Sequence, residues 1–382
     1  MSAVEELWQV IKEVLEQGRK VALFIGYECA GAVSEIMRFA ELLNTPIVTS
    51  WRGKGKVDPY HPLVRGVFGV GGHQSAREAL ADDSVGLILA VGTSLGQMAT
   101  AGWNSSLLNE KLVHIHHSTV YFPRSPMARL HVCGTADIIF QELTARLTQE
   151  RGEEKMKRAP AEQAVLQDEL KDEKNKPDSA APPQITLQVP DAYQDTSSPI
   201  KPQRLMYELM RRFPPETRFL IDNGTSVEWT IHYLFLRKYT NYRLVSTTPC
   251  SMGWAPGSAV GTALGNPGTP VVCIVGDASY MMYGHEISVA VAEKLPVIFI
   301  ILNDSSFGAV KHRNRQIGTL DLGFALPPTD FALMAEAVGA AGYAVHTPED
   351  FAGLDFHNIC TRSGPTVLDV YIDPEEAPPI DQ

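Results

Sequence analysis

Three things are missing from this chain of 382 residues: an excess of positive charge, a paired set of cysteines and a long apolar run. The formal net charge is -11, so a nucleic-acid binder, which grips phosphates through clustered Lys and Arg, is not expected. The five cysteines, Cys29, Cys133, Cys250, Cys273 and Cys360, are odd in number, widely spaced and without a CxxC pair. That pattern argues against a disulfide framework or a structural zinc site and for a reducing compartment, read as cytoplasmic. No stretch of eighteen apolar residues occurs, so a soluble chain without a membrane partner is expected. A GxGxxG fingerprint is lacking too: Gly26 and Gly31 stand apart, which gives no support for FAD or NAD and leaves strand-end scaffolding as the plainer reading.

What is present is enough apolar material, 44% of residues, for two or three packed domains. In the opening MSAVEELWQVIKEVLEQGRK, Val4, Leu7, Ile11, Val14 and Leu15 form one helical stripe between charges. This predicts an amphipathic helix and not a targeting peptide. Strand and helix patterns then alternate: KVALFIGYECAG, TPIVTS, GLILAVGTSLG and KLVHIHHS read as strands and AVSEIMRFAELL as a helix. The rhythm predicts a parallel, helix-covered sheet within an α/β domain over residues 1–149. Residues 150–200 are dense in charge and proline and read as a linker, with a short helix through AEQAVLQDELKDE, that joins neither core. A second α/β domain is predicted over residues 201–374, with PQRLMYELMRRFP and GHEISVAVAEKL as helices and TRFLIDNG, PVVCIVGD, PVIFIILND and PTVLDVYID as strands. Residues 375–382 read as a tail without catalytic signal.

The two continuous apolar strands of this second domain each run into an acid: Gly276-Asp277-Ala278-Ser279 ends one and Asn303-Asp304 ends the other. Ligands of open α/β sheets sit beyond the carboxyl ends of strands, and neighbouring strands would bring the two carboxylates together. Oxygen ligands suit Mg²⁺, commonly completed by phosphate and water, with Ser279 and the backbone after Asp304 as further oxygen sources. Gly276 permits close approach of a phosphate. The plainer alternative is that both carboxylates only cap turns.

These motifs resemble the thiamine diphosphate enzymes of the acetolactate synthase and pyruvate oxidase superfamily, whose cofactor motif begins GDG or GDA and ends near an Asn pair. The resemblance covers about residues 8–148, similar to the family's middle domain, and 201–374, similar to its diphosphate-binding domain, both Rossmann-like. It implies that Asp277, Asp304 and the Ser306 carbonyl bind Mg²⁺, with Asp304 standing where the family usually has Asn. Gly276, Ala278 and Ser279 complete the diphosphate loop. In TTPCSMGWAPGSAVGTALGNP, Met252 matches the residue that wedges the cofactor into its bent shape, and Cys250 the position whose carbonyl faces the aminopyrimidine. Asn223-Gly224-Thr225-Ser226 matches a loop that helps hold the diphosphate, through Thr225 and Ser226. Read without the resemblance, Met252 is ordinary core and the NGTS segment an ordinary turn. His285, Glu286, Lys311, His312 and Arg313 read most simply as surface helix residues, with His285 and His312 as candidates to approach the reaction centre.

The activity implied is thiamine diphosphate- and Mg²⁺-dependent C–C bond cleavage or ligation on a 2-oxo acid. The family's activating glutamate lies in an N-terminal pyrimidine-binding domain for which no matching segment is found here. Three explanations follow: a separate pyrimidine-binding subunit, a shortened chain, or a noncatalytic cofactor-binding or regulatory module. The resemblance also implies a homo-oligomer, since family enzymes form this site across a subunit interface. An NAD- or FAD-binding oxidoreductase domain is the alternative of a different class.

Overall fold

The computed structural model describes residues 3–157, 182, 184–244, 251–319 and 323–379. They divide into two compact units, Met1–Gly69 with His73–Thr186 and Val70–Gly72 with Leu187–Gln382.

The first unit carries six parallel strands: β1 (Lys20–Ile25), β2 (Ile47–Ser50), β3 (Val64–Phe68), β4 (Val85–Val91), β5 (Leu112–His116) and β6 (Leu130–Cys133). Their order is β3-β2-β1-β4-β5-β6. Alternate residues of β1 and β4 feed opposite cores, as the two-residue period of a strand requires. Leu23, Ile25, Leu89 and Val91 pack with Leu7, Ile11, Phe39 and Phe140 of three helices, whereas Ala22, Phe24, Ile88 and Ala90 pack with Ala76 and Leu80 of helix Gln74–Ala81. Burial on both faces explains why these strands read as unbroken apolar runs. The first helix spans Ala3–Glu16 and buries Leu7, Trp8, Ile11 and Val14, with Val4 and Leu15 half-buried at its flanks.

The second unit has its own parallel sheet: β7 (Arg218–Ile221), β8 (Tyr242–Leu244), β9 (Val271–Gly276), β10 (Val297–Asn303), β11 (Ala341–Val345) and β12 (Thr366–Tyr371), in the order β11-β12-β10-β9-β7-β8. The chain leaves β7 toward β8 on one side and returns to β9 on the other, so the strand order reverses between β7 and β9. Diverging loops open a crevice at such a point. Helix Trp254–Leu264 lies close on this sheet because Ala255, Ala259 and Ala263, one turn apart, are its buried face. Among the described residues, no helix is long and apolar enough to cross a membrane.

The expectation that residues 150–200 join neither core is corrected at both ends. Helix Ala136–Lys157 runs past Glu150, whose carboxylate pairs with Lys12 at 2.9 Å. Farther on, Ile185, Leu187, Tyr193 and Ile200 are buried, the Tyr193 hydroxyl donates to Tyr233 O at 2.7 Å, and Ile200 bridges to Ile372. These apolar side chains outweigh the polar average of the stretch. The helix expected through AEQAVLQDELKDE lies outside the described residues. The segment after β12 is also tied down: Glu375 pairs with Lys311 and Arg315, and Glu376 with Lys201.

Candidate functional site

β9 and β10 are parallel neighbours in a register that sets Gly276 beside Leu302. Asp277 and Asp304 therefore leave the sheet side by side. They line an open cleft of about 440 Å³ together with Asn223, Gly224, Thr225 and Ser226 from the end of β7, Met252, Ala278, Ser279, Ser306 and Gly308. Segments far apart in the chain thus meet at the switch point of the second sheet.

The electrostatics of the pair are those of a site short of positive charge. Burial first, and the neighbouring Asp304 carboxylate second, push the Asp277 carboxyl up to about 7, against the backbone amides of Ala278, Ser305 and Ser306. Burial also raises Asp304, opposed by the Ser306 N–H that donates to it. Asp277 Oδ1 accepts from the Ala278 N–H at 2.6 Å, and Asp304 Oδ1 from the Ser306 N–H at 3.0 Å. Asp277 Oδ2 and the Ser306 hydroxyl are buried without a hydrogen-bond partner. A buried carboxylate oxygen with nothing to bind is costly. Two carboxylates with an unpaired oxygen between them and a cleft fit a hard divalent cation in an oxygen-rich set. The carbonyl expected as third ligand is not engaged by the neighbouring strand-like contact, which uses Phe307 N–H to Phe324 O and Leu326 N–H to Ser305 O and leaves the Ser306 C=O outside both bonds.

Glycines make the room. A Cβ at Gly276 would meet nothing within 4 Å, so its absence keeps cleft space open. Gly224 adopts φ +112, a conformation that favours glycine, and leads into helix Thr225–Tyr233 without a side-chain cap. The start of that helix is suited to an anion. A Cβ at Gly308 would stand 2.5 Å from Asp304 Oδ2.

Several expected contacts take a different form. The Ser279 hydroxyl is not a free oxygen: it donates to Asp222 and accepts from the Gly253 N–H at 2.7 Å, so Ser279 lines the cleft with its hydroxyl already engaged. The Ser226 hydroxyl likewise donates to Asp222 O at 2.6 Å, while Thr225 is half-buried at the cleft wall. Met252 is half-buried and borders the cleft instead of filling the core. Cys250 lies outside the described residues.

The histidine candidates separate. His285 and Glu286 are exposed and do not line the cleft. Lys311 and His312 are not surface residues, as the sequence reading had them, but buried, because helix Gly308–Gln316 turns them under the chain after β12. Lys311 donates to Pro374 O at 3.0 Å and to Glu375 at 2.7 Å, an anchoring role. His312 opens instead on a separate recess of about 460 Å³ with Glu228, Arg313 and Gln316. Burial, with Lys311 and Arg315 nearby, holds its imidazole below the usual range and so neutral.

In the first unit, Gly26 is a packing glycine: a Cβ there would lie 2.1 Å from Gly92 O, so the ends of β1 and β4 close on each other. The sequence reading missed one group in this unit. Glu28, His116 and His117 hold three ligand-type atoms within 4.8 Å. The Ser118 N–H donates to His116 Nδ1 at 2.9 Å, which places the proton of neutral His116 on Nε2, facing Glu28 Oε2 at 3.1 Å. His116 Nε2 is nonetheless buried without a hydrogen-bond partner, its approach to Glu28 being a close polar contact only. The HIHH run was its only signal in the sequence.

Comparison with known proteins agrees with this geometry. Residues 9–143 match the thiamine pyrophosphate enzyme central domain, and residues 222–370 match the thiamine pyrophosphate enzyme C-terminal TPP binding domain. A Mycobacterium tuberculosis protein provisionally named acetolactate synthase large subunit IlvB2 is 30% identical over 94% of this chain and 61% of its own length. A Methanocaldococcus jannaschii protein provisionally named acetolactate synthase large subunit is 25% identical over 98% of this chain and 61% of its own. A Bacillus subtilis protein provisionally named thiamine pyrophosphate-containing protein YdaP is 23% identical over 96% and 59%. The chain spans about three fifths of the length of these relatives. It belongs to the thiamine pyrophosphate enzyme superfamily, of which it carries the central and the C-terminal TPP-binding domains, and it is related to acetolactate synthase-like proteins.

Proposed function

We propose that this chain binds thiamine diphosphate through Mg²⁺ and takes part in C–C bond cleavage or ligation on a 2-oxo acid. The observation that carries the reading is the buried, unpaired Asp277 Oδ2 beside Asp304, at the strand-order reversal of a TPP-binding domain. Asp277, Asp304 and the Ser306 carbonyl would hold the cation. Gly276, Gly224 and the start of helix Thr225–Tyr233 give the diphosphate space and amide donors, and Met252 supports the rings from the cleft wall. When bound, the cofactor supplies an electron sink for breaking the bond next to a carbonyl. The protein's part is to orient that group and to keep the two carboxylates ionised by pairing them with the cation.

Activation of the aminopyrimidine falls, in this reading, to a pyrimidine-binding domain beyond the described residues, supplied by a separate subunit or by a longer form of the chain. The test is calorimetry of thiamine diphosphate with and without Mg²⁺. Strong metal dependence that disappears in Asp277→Ala supports the reading, and cofactor affinity unchanged by that substitution refutes it. Addition of a pyrimidine-binding partner should then bring CO₂ release from a 2-oxo acid. Tight binding that no partner converts into turnover would favour a noncatalytic module.

A further inference from the structure

Asp222 directly follows β7, is fully buried and does not line the cleft. Its carboxylate nonetheless gathers three donors from two other segments. Oδ1 accepts from the Ala255 N–H at 2.9 Å, and Oδ2 accepts from the Gly253 N–H at 2.8 Å and from the Ser279 hydroxyl. Ser279 Oγ in turn accepts from the Gly253 N–H at 2.7 Å, closing a ring of Asp222, Gly253 and Ser279. One segment carries Met252, and the other is helix Asp277–Tyr283, which begins with the metal-ligating acid.

The turn is held in one place. Gly253 has φ +82, and a Cβ there would strike the Tyr283 ring at 2.1 Å, so it is seated against the far end of the same helix. Next to Asp222, the Asn223 side chain donates to Ser251 O at 2.7 Å, a second tie to the segment before the turn. Hydrogen bonds to a buried carboxylate are about twice as strong as neutral ones, and three donors satisfy the charge that burial would otherwise penalise.

We infer that Asp222 is a positioning residue: it locks the Met252 turn to the head of helix Asp277–Tyr283, so that the support for the cofactor's rings and the anchor for its diphosphate form one rigid piece. This rests on the function proposed above. Asp222 touches neither end of the cofactor and acts by fixing the offset between them. Ser279 is the link between the two segments, which accounts for its engaged hydroxyl.

The test compares two probes, thiamine diphosphate and inorganic pyrophosphate, titrated by calorimetry at saturating Mg²⁺. Asp222→Asn keeps the side chain's shape but turns an amide N–H₂ toward donors, so one of the three bonds is lost. The expected result is thiamine diphosphate binding weakened about tenfold, as for one hydrogen bond to a charged group, and pyrophosphate binding changed by less than about twofold. Amide exchange at Gly253 and Ala255 should quicken in the same variant. Ser279→Ala, which leaves both amide bonds to Asp222 in place, should shift the ratio in the same direction by less, and it serves if Asp222→Asn does not fold. Equal weakening of the two probes, or an unchanged ratio, overturns the inference while leaving the function standing. A wild-type chain that binds neither probe overturns the functional reading and this role together.

Discussion

Gly308→Ala would separate the proposed metal binding from folding at a single position. Gly308 opens helix Gly308–Gln316 and has no positive φ, so alanine suits its backbone, and helix propensity alone favours the change by up to about 1 kcal/mol. The new methyl would stand 2.5 Å from Asp304 Oδ2, so the oxygen must retreat by roughly 0.9 Å to reach ordinary contact. It can do so, because Oδ1 is the atom held by the Ser306 N–H. Metal ligands tolerate about 0.2 Å of displacement, so the retreat spoils the ligand without unfolding the chain. We expect Mg²⁺ affinity in the presence of thiamine diphosphate to fall roughly 10- to 100-fold, about 1.4–2.7 kcal/mol, with the melting temperature within about 3 °C of wild type. Calorimetric titration of Mg²⁺ at fixed cofactor, beside thermal denaturation of the cofactor-free chain, reads both quantities. A Mg²⁺ midpoint equal to wild type would refute the reasoning and remove Asp304 from the metal site.

At Asp304 itself, Asn should weaken Mg²⁺ binding less than Ala, because Asn keeps a neutral oxygen ligand and Ala removes it; cofactor titrations against Mg²⁺ that rank them the other way would count against direct ligation. Met252→Ala should lower turnover in a system reconstituted with a pyrimidine-binding partner more than it lowers pyrophosphate affinity, measured by steady-state kinetics beside calorimetry. A pH dependence of stability is expected in the first unit from His114, which is buried with its ring nitrogens 2.9 Å from Thr93 O and the Ser125 hydroxyl. Burial brings its imidazole from 6.5 down to about 4. Above pH 6.5 it is neutral in both states; between 6.5 and 4 only the unfolded chain takes up the proton, so stability falls with pH by on the order of 3 kcal/mol. Denaturant midpoints from pH 7 to 4.5 should show this fall, and His114→Gln should flatten it.

The strands that build the cores were plain in the sequence because β1, β4, β9 and β10 are buried on both faces and hence continuously apolar. β3, β8 and β11 were not, for reasons visible in their residues. VRGVF and AGYAV carry Gly, Arg or Ala where strand formers are expected, and YRL is three residues long. Each of these three is the last strand at a sheet edge, where the pattern is weakest. The convergence of Asp277 with Asp304 was legible because both follow interior strands directly. The Asp222 ring was not, since an Asp before Asn-Gly reads as part of a turn and its partners lie 31 and 57 positions away. Lys311 and His312 were misplaced at the surface because their burial depends on the chain after β12, which no local period encodes.

The abrupt end of β9 and β10 bears on how the second sheet assembles. Parallel strands that are apolar on both faces say little about their own alignment, since a slipped pairing still sets hydrocarbon against hydrocarbon. Here each run stops within two residues at an ionisable group. Sliding β9 one position against β10 would draw the Asp277 carboxylate beside Leu302 and leave Val271 without its partner Val297. Stranding a carboxylate among apolar neighbours costs several kcal/mol, more than a single displaced pair of aliphatic side chains can return. The two acids thus disfavour that slip and help to hold β9 and β10 in register, before any ligand is present.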